Sequence, residues 1–224
     1  MPFPPVAPPA PALVLPDWLS RDVASNVPRW RTIAPSSSAD DTRPLAPLGS
    51  SDALLRGALV HRLMQALPDV PAERRRKAAA DFLSRAGGKF PSEECDKLAE
   101  QVMLILDHPH FSELYRPGSR AEVPIVGKLM LGGQPVIVSG QVDRLVVTQA
   151  SVLIADFKSD RAPPRRIEDA PQDYVKQLAL YRAVLKKLYP DRPVRAVLIW
   201  TEVPEVMELS AEALEGALMQ VTPA

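Results

Sequence analysis

The sequence of 224 residues contains a single cysteine and no long apolar run. One cysteine excludes an internal disulfide, a four-cysteine zinc site and a four-cysteine iron–sulfur cluster. No apolar stretch approaches the roughly 18 residues of a membrane span, and the N-terminus lacks the basic and hydrophobic regions of a signal peptide. We therefore expect a soluble protein of a reducing compartment, without contact to a membrane.

Net charge is also lacking, because 27 basic side chains balance 27 acidic ones. This balance excludes a global attraction to nucleic acid, so such binding must come from local patches. The chain has no Gly-x-x-x-x-Gly-Lys-Ser/Thr loop, so we expect no ATP site and no motor within it. The apolar fraction of 46% is sufficient for a hydrophobic core and argues against a wholly disordered chain.

Proline is concentrated near the N-terminus. Eleven of the 25 prolines lie in residues 1–50, where Gly49 is the single glycine. Because proline fixes φ and lacks a backbone donor, this stretch is predicted to be an extended linker or arm, followed by one domain at 51–224. The segment 15–19, which is apolar except for Asp17, and Trp30 lie within the arm, and the pattern leaves open whether they dock on the domain or stay exposed.

In the rest of the chain, apolar residues recur first at the spacing of a helix and then at every second position, as in a strand. Helical spacing of apolar residues predicts three helices: from 51 until Pro68, 71–85 and 92–107. Alternation then predicts three strands: 122–131, 134–147 and 151–156. A helix, a buried strand, a possible short strand and a last helix follow: 173–188, 194–200, 207–209 and 210–220. This order predicts an α/β fold with a mixed central sheet flanked by helices.

Two carboxylates fall at comparable positions in adjacent predicted strands. Asp143 and Asp156 lie at similar distances from the turn at 148–150, so they can sit side by side, and Lys158 shares the face of Asp156. Two carboxylates about 4 Å apart repel by about 4 kcal/mol at an effective dielectric of 20, so they require a shared proton or a cation. Carboxylate oxygens suit Mg²⁺ or Mn²⁺, and a lysine can hold water or neutralise phosphate. The pattern favours metal-assisted phosphodiester hydrolysis, with a surface ion-pair cluster as the alternative.

Several motifs of the chain resemble the PD-(D/E)XK nuclease superfamily. Gly-x-Val-Asp at 140–143 and Asp-Phe-Lys at 156–158 are similar to its catalytic signature. Three further motifs resemble its RecB-type branch: Gly-x-x-x-His at 57–61, Glu-Val-Pro at 122–124 and Gln-x-x-x-Tyr at 177–181. The chain is therefore similar to the nuclease domains of the AddA-type helicase–nuclease family.

This resemblance implies a restriction-endonuclease-like core and a set of roles. His61, Asp143 and Asp156 would bind Mg²⁺, which Mn²⁺ could replace, with the main-chain carbonyl of Phe157 as a further ligand. Lys158 would position or activate the attacking water. Gln177 and Tyr181 would steady the catalytic group or the DNA strand, and a helper role near the metal is implied for Glu122. Independently of the resemblance, a proline-rich loop follows the predicted strand that carries Asp156. Its arginines are candidates for contacts with DNA phosphates: Arg161, Arg165 and Arg166.

The function implied by the resemblance is Mg²⁺-dependent DNA cleavage during double-strand break repair and recombination. The substrate would be single-stranded DNA or an unwound duplex end, cleaved by an exonuclease that works with a helicase or an AddB-like subunit in the cytoplasm, at the nucleoid. The iron–sulfur cluster of the partner nuclease subunit in such systems is excluded here by the single cysteine. The alternative is a catalytically silent module that binds DNA or protein within a helicase–nuclease complex.

Overall fold

The computed structural model describes residues 16, 30–35, 50–116, 118–159 and 163–221. Within these residues, six strands form one mixed sheet: β1 (Arg31–Ile33), β2 (Ser119–Leu131), β3 (Gln134–Val147), β4 (Val152–Lys158), β5 (Val194–Trp200) and β6 (Glu205–Leu209). Five α-helices flank the sheet: α1 (Ser50–Ala66), α2 (Ala72–Ala86), α3 (Ser92–Asp107), α4 (Gln172–Leu188) and α5 (Ala211–Met219). The predicted fold class, a mixed α/β sandwich, is confirmed.

Strand β3 is the organising strand of the sheet. It pairs along its length with β2, in a hairpin closed by Gly132 and Gly133, whose positive φ values of 54° and 77° suit glycine. Its other edge is shared by β4, which is antiparallel to it, and β1, which is parallel. The sheet continues through β5, parallel to β4, to β6. The parallel connection from β4 to β5 runs through α4, as a crossover helix.

Both faces of the sheet are covered by helices, which explains the nearly continuous apolar sequence of β4 and β5. Helices α4 and α5 pack on one face, where Ile154 of β4 and Trp200 of β5 are buried beside Leu178. Helices α1, α2 and α3 pack on the other face, where the alternate residues Leu153 and Val197 are buried. Strand β4 therefore divides its side chains between two cores and projects its C-terminal end between two helical layers.

Part of the proline-rich stretch joins the sheet. Arg31–Ile33 pairs with Val136, Ile137 and Val138 of β3, and the Nζ atom of Lys128 lies 4.8 Å from the ring centroid of Trp30. Trp30 thus lies against the domain, while 17–19 and residue 15 fall outside the described residues. The division into 1–50 and 51–224 stays a prediction.

The element boundaries follow the sequence pattern closely, with shifts of one to three residues at several ends; β4 ends at Lys158 instead of 156, and β6 begins at Glu205 instead of 207. Helix α1 begins at Ser50, one residue before the predicted start at 51, and the Ser210 hydroxyl caps α5 by accepting from the Ala213 amide at 3.1 Å. Strand β2 begins at Ser119, three residues before the predicted start at Glu122. No helix among the described residues is both long and apolar enough to cross a bilayer.

Candidate active site

The candidate site lies at the end of the β3–β4 pairing. The last paired residues are Arg144 and Ala155, so Asp143 and Asp156 stand immediately beyond the paired region. There the main-chain N–H of Phe157 donates to Asp143 Oδ2 at 2.6 Å. The Asp143 carboxylate thus acts as the acceptor for a β4 amide where the pairing of the two strands has ended, and this hydrogen bond fixes the carboxylate to the β4 backbone.

Helix α1 brings an imidazole to the same place. A Cβ atom on Gly57 would lie only 3.1 Å from Ser159 Oγ, so a glycine at this position allows α1 to pack close to the chain that follows β4. One turn later, His61 Nε2 lies 3.3 Å from Asp143 Oδ1 and 3.4 Å from Glu122 Oε1. One ligand atom from each of these three residues lies within 4.8 Å of the others, as a shared cation would require.

The donor set of this trio fits a divalent cation. Glu122 Oε1 is buried and accepts no hydrogen bond from the described residues, and a buried carboxylate oxygen without a donor is costly. Carboxylates are preferred by Mg²⁺ and Mn²⁺, and imidazole is a common ligand of transition metals. The hydrogen bond to Asp143 is the main reason that the pKa of His61 is raised, with burial opposing it, so a proton on His61 partly substitutes for the cation.

Glu122 reaches this trio through an unusual backbone conformation. It stands opposite Asp143, between the paired residues Ala121 and Val123, and its φ is 51°. A non-glycine residue in the left-handed region costs about 1–3 kcal/mol, and such strain is concentrated at functional sites. Burial raises the pKa of Glu122, while the charge of His61 opposes this.

Gln141 is a site residue that the sequence reasoning missed. Its Nε2 donates to Glu122 Oε2 at 2.5 Å, which leaves Oε1 as the free oxygen of that carboxylate. Gln141 precedes Asp143 by two residues in β3, so the period of two could have identified it. Its main-chain N–H donates to the hydroxyl of Tyr181 at 3.1 Å.

Tyr181 lies beneath β3 and is fully buried. A Cβ atom at position 140 would overlap its hydroxyl, so Gly140 provides the space that the tyrosine needs. The structure therefore connects the Gln-x-x-x-Tyr and Gly-x-Val-Asp motifs through one main-chain hydrogen bond. Tyr181 supports the strand that carries Asp143 and Gln141, rather than facing the open pocket.

A second group of charges lies on the α4 side of the same strand end. Asp156 Oδ2 is 2.6 Å from Lys158 Nζ, and Gln177 Nε2 donates to Asp156 Oδ1 at 3.1 Å. Lys158 Nζ also donates to Gln177 Oε1 at 3.2 Å and lies 3.9 Å from the ring centroid of Tyr174. Asp156 Oδ2 accepts no well-aligned hydrogen bond from the described residues and is held by the ion pair instead.

The ionisation of this pair reflects its burial. Burial raises the pKa of Asp156 to about 6; Lys158 opposes the rise, and the charge of Asp143 adds to it. Burial lowers the pKa of Lys158, but the ion pair with Asp156 outweighs this, so that the pKa is raised overall. Lys158 is therefore a fixed positive charge beside the trio.

Thr201 fixes the end of β4 from the other side. Its main-chain N–H and its hydroxyl both donate to the carbonyl of Lys158, at 2.9 and 3.2 Å. Gln101 of α3 in turn donates to the Thr201 carbonyl. No sequence pattern pointed to Thr201, because its role depends on the parallel pairing of β4 with β5.

The structure separates the predicted ligands into two groups. It brings together His61, Asp143 and Glu122, whereas Asp156 is engaged by Lys158 and Gln177. The Phe157 main chain is placed at the site through its N–H, and its ring lies 5.9 Å from that of His61. The role of the Phe157 carbonyl as a ligand stays a prediction.

The three predicted DNA-contacting arginines have different surroundings. Arg161 lies outside the described residues, and Arg165 is exposed. Arg166 pairs with Asp169 at 3.0 Å and with Glu168 at 3.7 Å, so local carboxylates compensate its charge. This pairing leaves less positive charge at Arg166 for a phosphate than the sequence alone suggested.

Comparison with known proteins identifies the family. A model of the PD-(D/E)XK nuclease superfamily matches residues 40–218, so the chain belongs to this superfamily. Membership implies metal-dependent nuclease activity in general, and the trio provides a candidate site for the metal. No curated protein matches the sequence significantly.

Two solved structures show a distant likeness. The crystal structure of SSO0001 is 12% identical over 86% of this chain and 75% of that chain, with a TM-score of 0.35. The crystal structure of protein VC1899 from Vibrio cholerae is 18% identical over 69% of this chain and 44% of that chain, with a TM-score of 0.30. Likeness at this level carries no information about function.

Proposed function

We propose that the chain is a Mg²⁺-dependent deoxyribonuclease domain of the RecB and AddA type. The observation that carries the proposal is the convergence of His61, Glu122 and Asp143, with a buried Glu122 oxygen that lacks a donor, beside the Lys158–Asp156 ion pair. An acidic pocket with an adjacent lysine suits a phosphodiester. Carboxylates repel the negative phosphate, so the phosphate can bind there only when a metal ion and the lysine supply positive charge.

The residues of the trio would hold the metal, and Asp156 and the Phe157 carbonyl would complete its coordination. When bound, Mg²⁺ supplies positive charge that stabilises charge developing on the phosphate. The ammonium of Lys158, which also donates to Gln177 Oε1, would donate hydrogen bonds to a phosphate oxygen or to the attacking water once Asp156 binds the metal. Gln177 keeps both members of this pair in place, and Gln141 orients Glu122.

The finer assignment rests on the RecB-type motifs. Gly57, His61, Gln177 and Tyr181 belong to these motifs, and each contributes to the site or to the packing beneath it. We infer from them a role on single-stranded DNA at unwound ends during double-strand break repair and recombination. A helicase and an AddB-like subunit would be the partners that deliver the strand.

One observation favours the alternative of a catalytically silent module. Asp156 is already engaged by Lys158 and Gln177 on the α4 side, outside the trio. If this closed arrangement persisted in the presence of a divalent cation, the chain would bind DNA or protein without cleaving it. Cleavage assays distinguish the two functions.

The test is a nuclease assay on linear and circular single-stranded DNA with Mg²⁺, Mn²⁺ or a chelator. We expect metal-dependent cleavage, restricted to linear DNA, that Asp143→Asn reduces by about 10²–10³-fold, comparable to the loss of a transition-state contact. Asp81→Asn, which removes an exposed carboxylate from α2, is the matched control and should keep full activity. Cleavage that survives the chelator, or full activity of Asp143→Asn, would exclude this function.

A further inference from the structure

A groove of about 1100 Å³ lies between α1, α2 and the start of β2. Its floor is apolar and includes Leu55, Leu59, Leu67 and Phe82. Polar side chains line its rim: Arg62, Gln65, Asp69 and Arg120. A concave apolar surface of this size beside a candidate active site suggests a binding site rather than a packing defect.

The groove lies next to the two elements that carry His61 and Glu122 of the trio. Arg62 follows His61 in α1, and Arg120 precedes Glu122 by two residues in β2. An extended ligand with its reactive group at the trio would therefore continue into this groove.

The charges around the groove favour an anionic occupant. Arg62 and Arg120 are exposed, and neither forms an ion pair with a carboxylate of the described residues, while Asp69 is the acid at the rim. Behind the groove, the buried Arg144 donates to Ser119 Oγ at 2.7 Å, and its Nη1 has no acceptor among the described residues. Since Arg62 and Arg120 are opposed only by Asp69 among the charged residues that line the groove, positive charge exceeds negative charge on this surface.

The apolar floor narrows the choice of anion. A duplex keeps its bases stacked inside and presents phosphates outwards, so it could use the arginines but not the floor. A single strand can place bases on an apolar or aromatic surface while its phosphates follow basic side chains. An acidic peptide could match the charges, but it would leave the aromatic surface of Phe82 without a particular role.

We propose that this groove binds single-stranded DNA on one side of the scissile phosphate, with bases on the Phe82 floor and phosphates at Arg62 and Arg120. The proposal rests on the nuclease function, since it takes the trio as the position of the scissile phosphate. It adds a substrate path that uses none of the arginines at 161, 165 and 166.

The test measures binding of a fluorescent oligothymidylate to the full chain with a chelator present, so that no strand is cleaved. For the double variant Arg62→Gln/Arg120→Gln we expect at least tenfold weaker binding at low salt. Its log–log salt slope should fall by about 1.4, at about 0.7 for each single-strand phosphate contact. Phe82→Leu keeps an apolar side chain and should weaken binding at least threefold without changing the salt slope.

The matched control is Arg76→Gln/Lys77→Gln, which removes two positive charges from the exposed part of α2 outside the groove. It should bind like the wild type, and Arg62→Lys/Arg120→Lys should restore most of the salt slope. Thermal melting of each variant checks that the fold is kept. Equal weakening in the control, unchanged binding in the groove variant, or equally effective competition by duplex DNA or polyglutamate would overturn the proposal.

The two proposals fail in different ways. If the wild type binds oligothymidylate through the groove but never cleaves it with Mg²⁺ or Mn²⁺, the nuclease function is wrong and the groove remains a single-strand site. If the wild type cleaves and the groove variants bind and cleave equally well, the groove proposal is wrong and the nuclease function stands.

Discussion

Two clusters of acidic and basic side chains lie on the sheet, and they differ in how their charges are balanced. In the first, Arg195 of β5 lies between Glu208 and Glu113, with contacts of 2.7 Å to Glu208 Oε1 and Oε2 and 2.9 Å to Glu113 Oε1. In the second, the candidate site, three carboxylates share one lysine and one histidine, and Glu122 Oε1 has no donor among the described residues. The first cluster is closed, because all four of its carboxylate oxygens accept hydrogen bonds from Arg195, whereas the second leaves a carboxylate oxygen for another cation.

The pKa values of the carboxylates shift in opposite directions in the two clusters. Hydrogen bonds from Arg195 lower the pKa of Glu208, so its ionised form is favoured by the fold. Burial raises the pKa values of Glu122 and Asp156, so their ionised forms are disfavoured without a further cation. The same residue types therefore stabilise the fold in one place and prepare a site in the other.

The largest expected effect distinguishes the basic residues of the two clusters. Lys158→Met should reduce cleavage of linear single-stranded DNA by about 10²–10³-fold, because the fixed charge beside the phosphate is lost. Arg195→Met removes a comparable charge from the closed cluster and should leave the rate per folded molecule within about twofold. Rates are measured at saturating Mg²⁺ and divided by the folded fraction. An equal loss in both variants would mean that the clusters do not differ in function.

The acidic residues should differ in the sign of their effect on stability. In metal-free protein, Glu208→Gln should lower the free energy of unfolding by about 1 kcal/mol, as expected for a partly exposed bidentate pair with arginine. Glu122→Gln should raise it by about 0.5 kcal/mol, because it removes a disfavoured charge that solvent partly screens. Urea unfolding with a chelator present measures both. Destabilisation of similar size by Glu122→Gln would show that Glu122 is already compensated.

The smallest effect is the pH dependence of the closed cluster. The pKa of Glu208 is lowered from its ordinary value of 4.5, so the stability that it contributes is present above that pH and is lost as the pH falls through the lower folded-state pKa. The difference in stability between wild type and Glu208→Gln should therefore be constant near neutral pH and disappear in acid. Urea unfolding across this pH range measures it, and a difference that grows in acid would contradict the pairing.

The regular elements could be predicted from the sequence because each shows a single strong period. The bounds of β3, β5 and α3 match the predicted bounds, since alternation or helical spacing is uninterrupted there. The early start of β2 was not predictable, because Ser119–Ala121 show no alternation. The pairing of β1 was not predictable either, because three residues carry no period and the partner strand lies a hundred positions away.

The sequence predicted most of the residues that lie at the candidate site, but not which of them contact one another. The residues expected to act together do lie at one strand end, yet the trio contains Glu122, the residue expected only to help, and Asp156 faces Lys158 and Gln177 instead. This grouping depends on the positive φ of Glu122 and on the end of the β3–β4 pairing at Arg144 and Ala155. Neither feature can be predicted from the types of residue at these positions. The pairing of Arg166 with Asp169 likewise depends on a short turn after the loop.

The most direct test is a calorimetric titration of the full chain with Mn²⁺ at neutral pH. We expect one site in the wild type and in Arg195→Met. In Glu122→Gln the affinity should fall by at least tenfold, and in Asp143→Asn binding should no longer be measurable. If Asp143→Asn bound Mn²⁺ as tightly as the wild type, the pocket formed by His61, Glu122 and Asp143 would not be a metal centre.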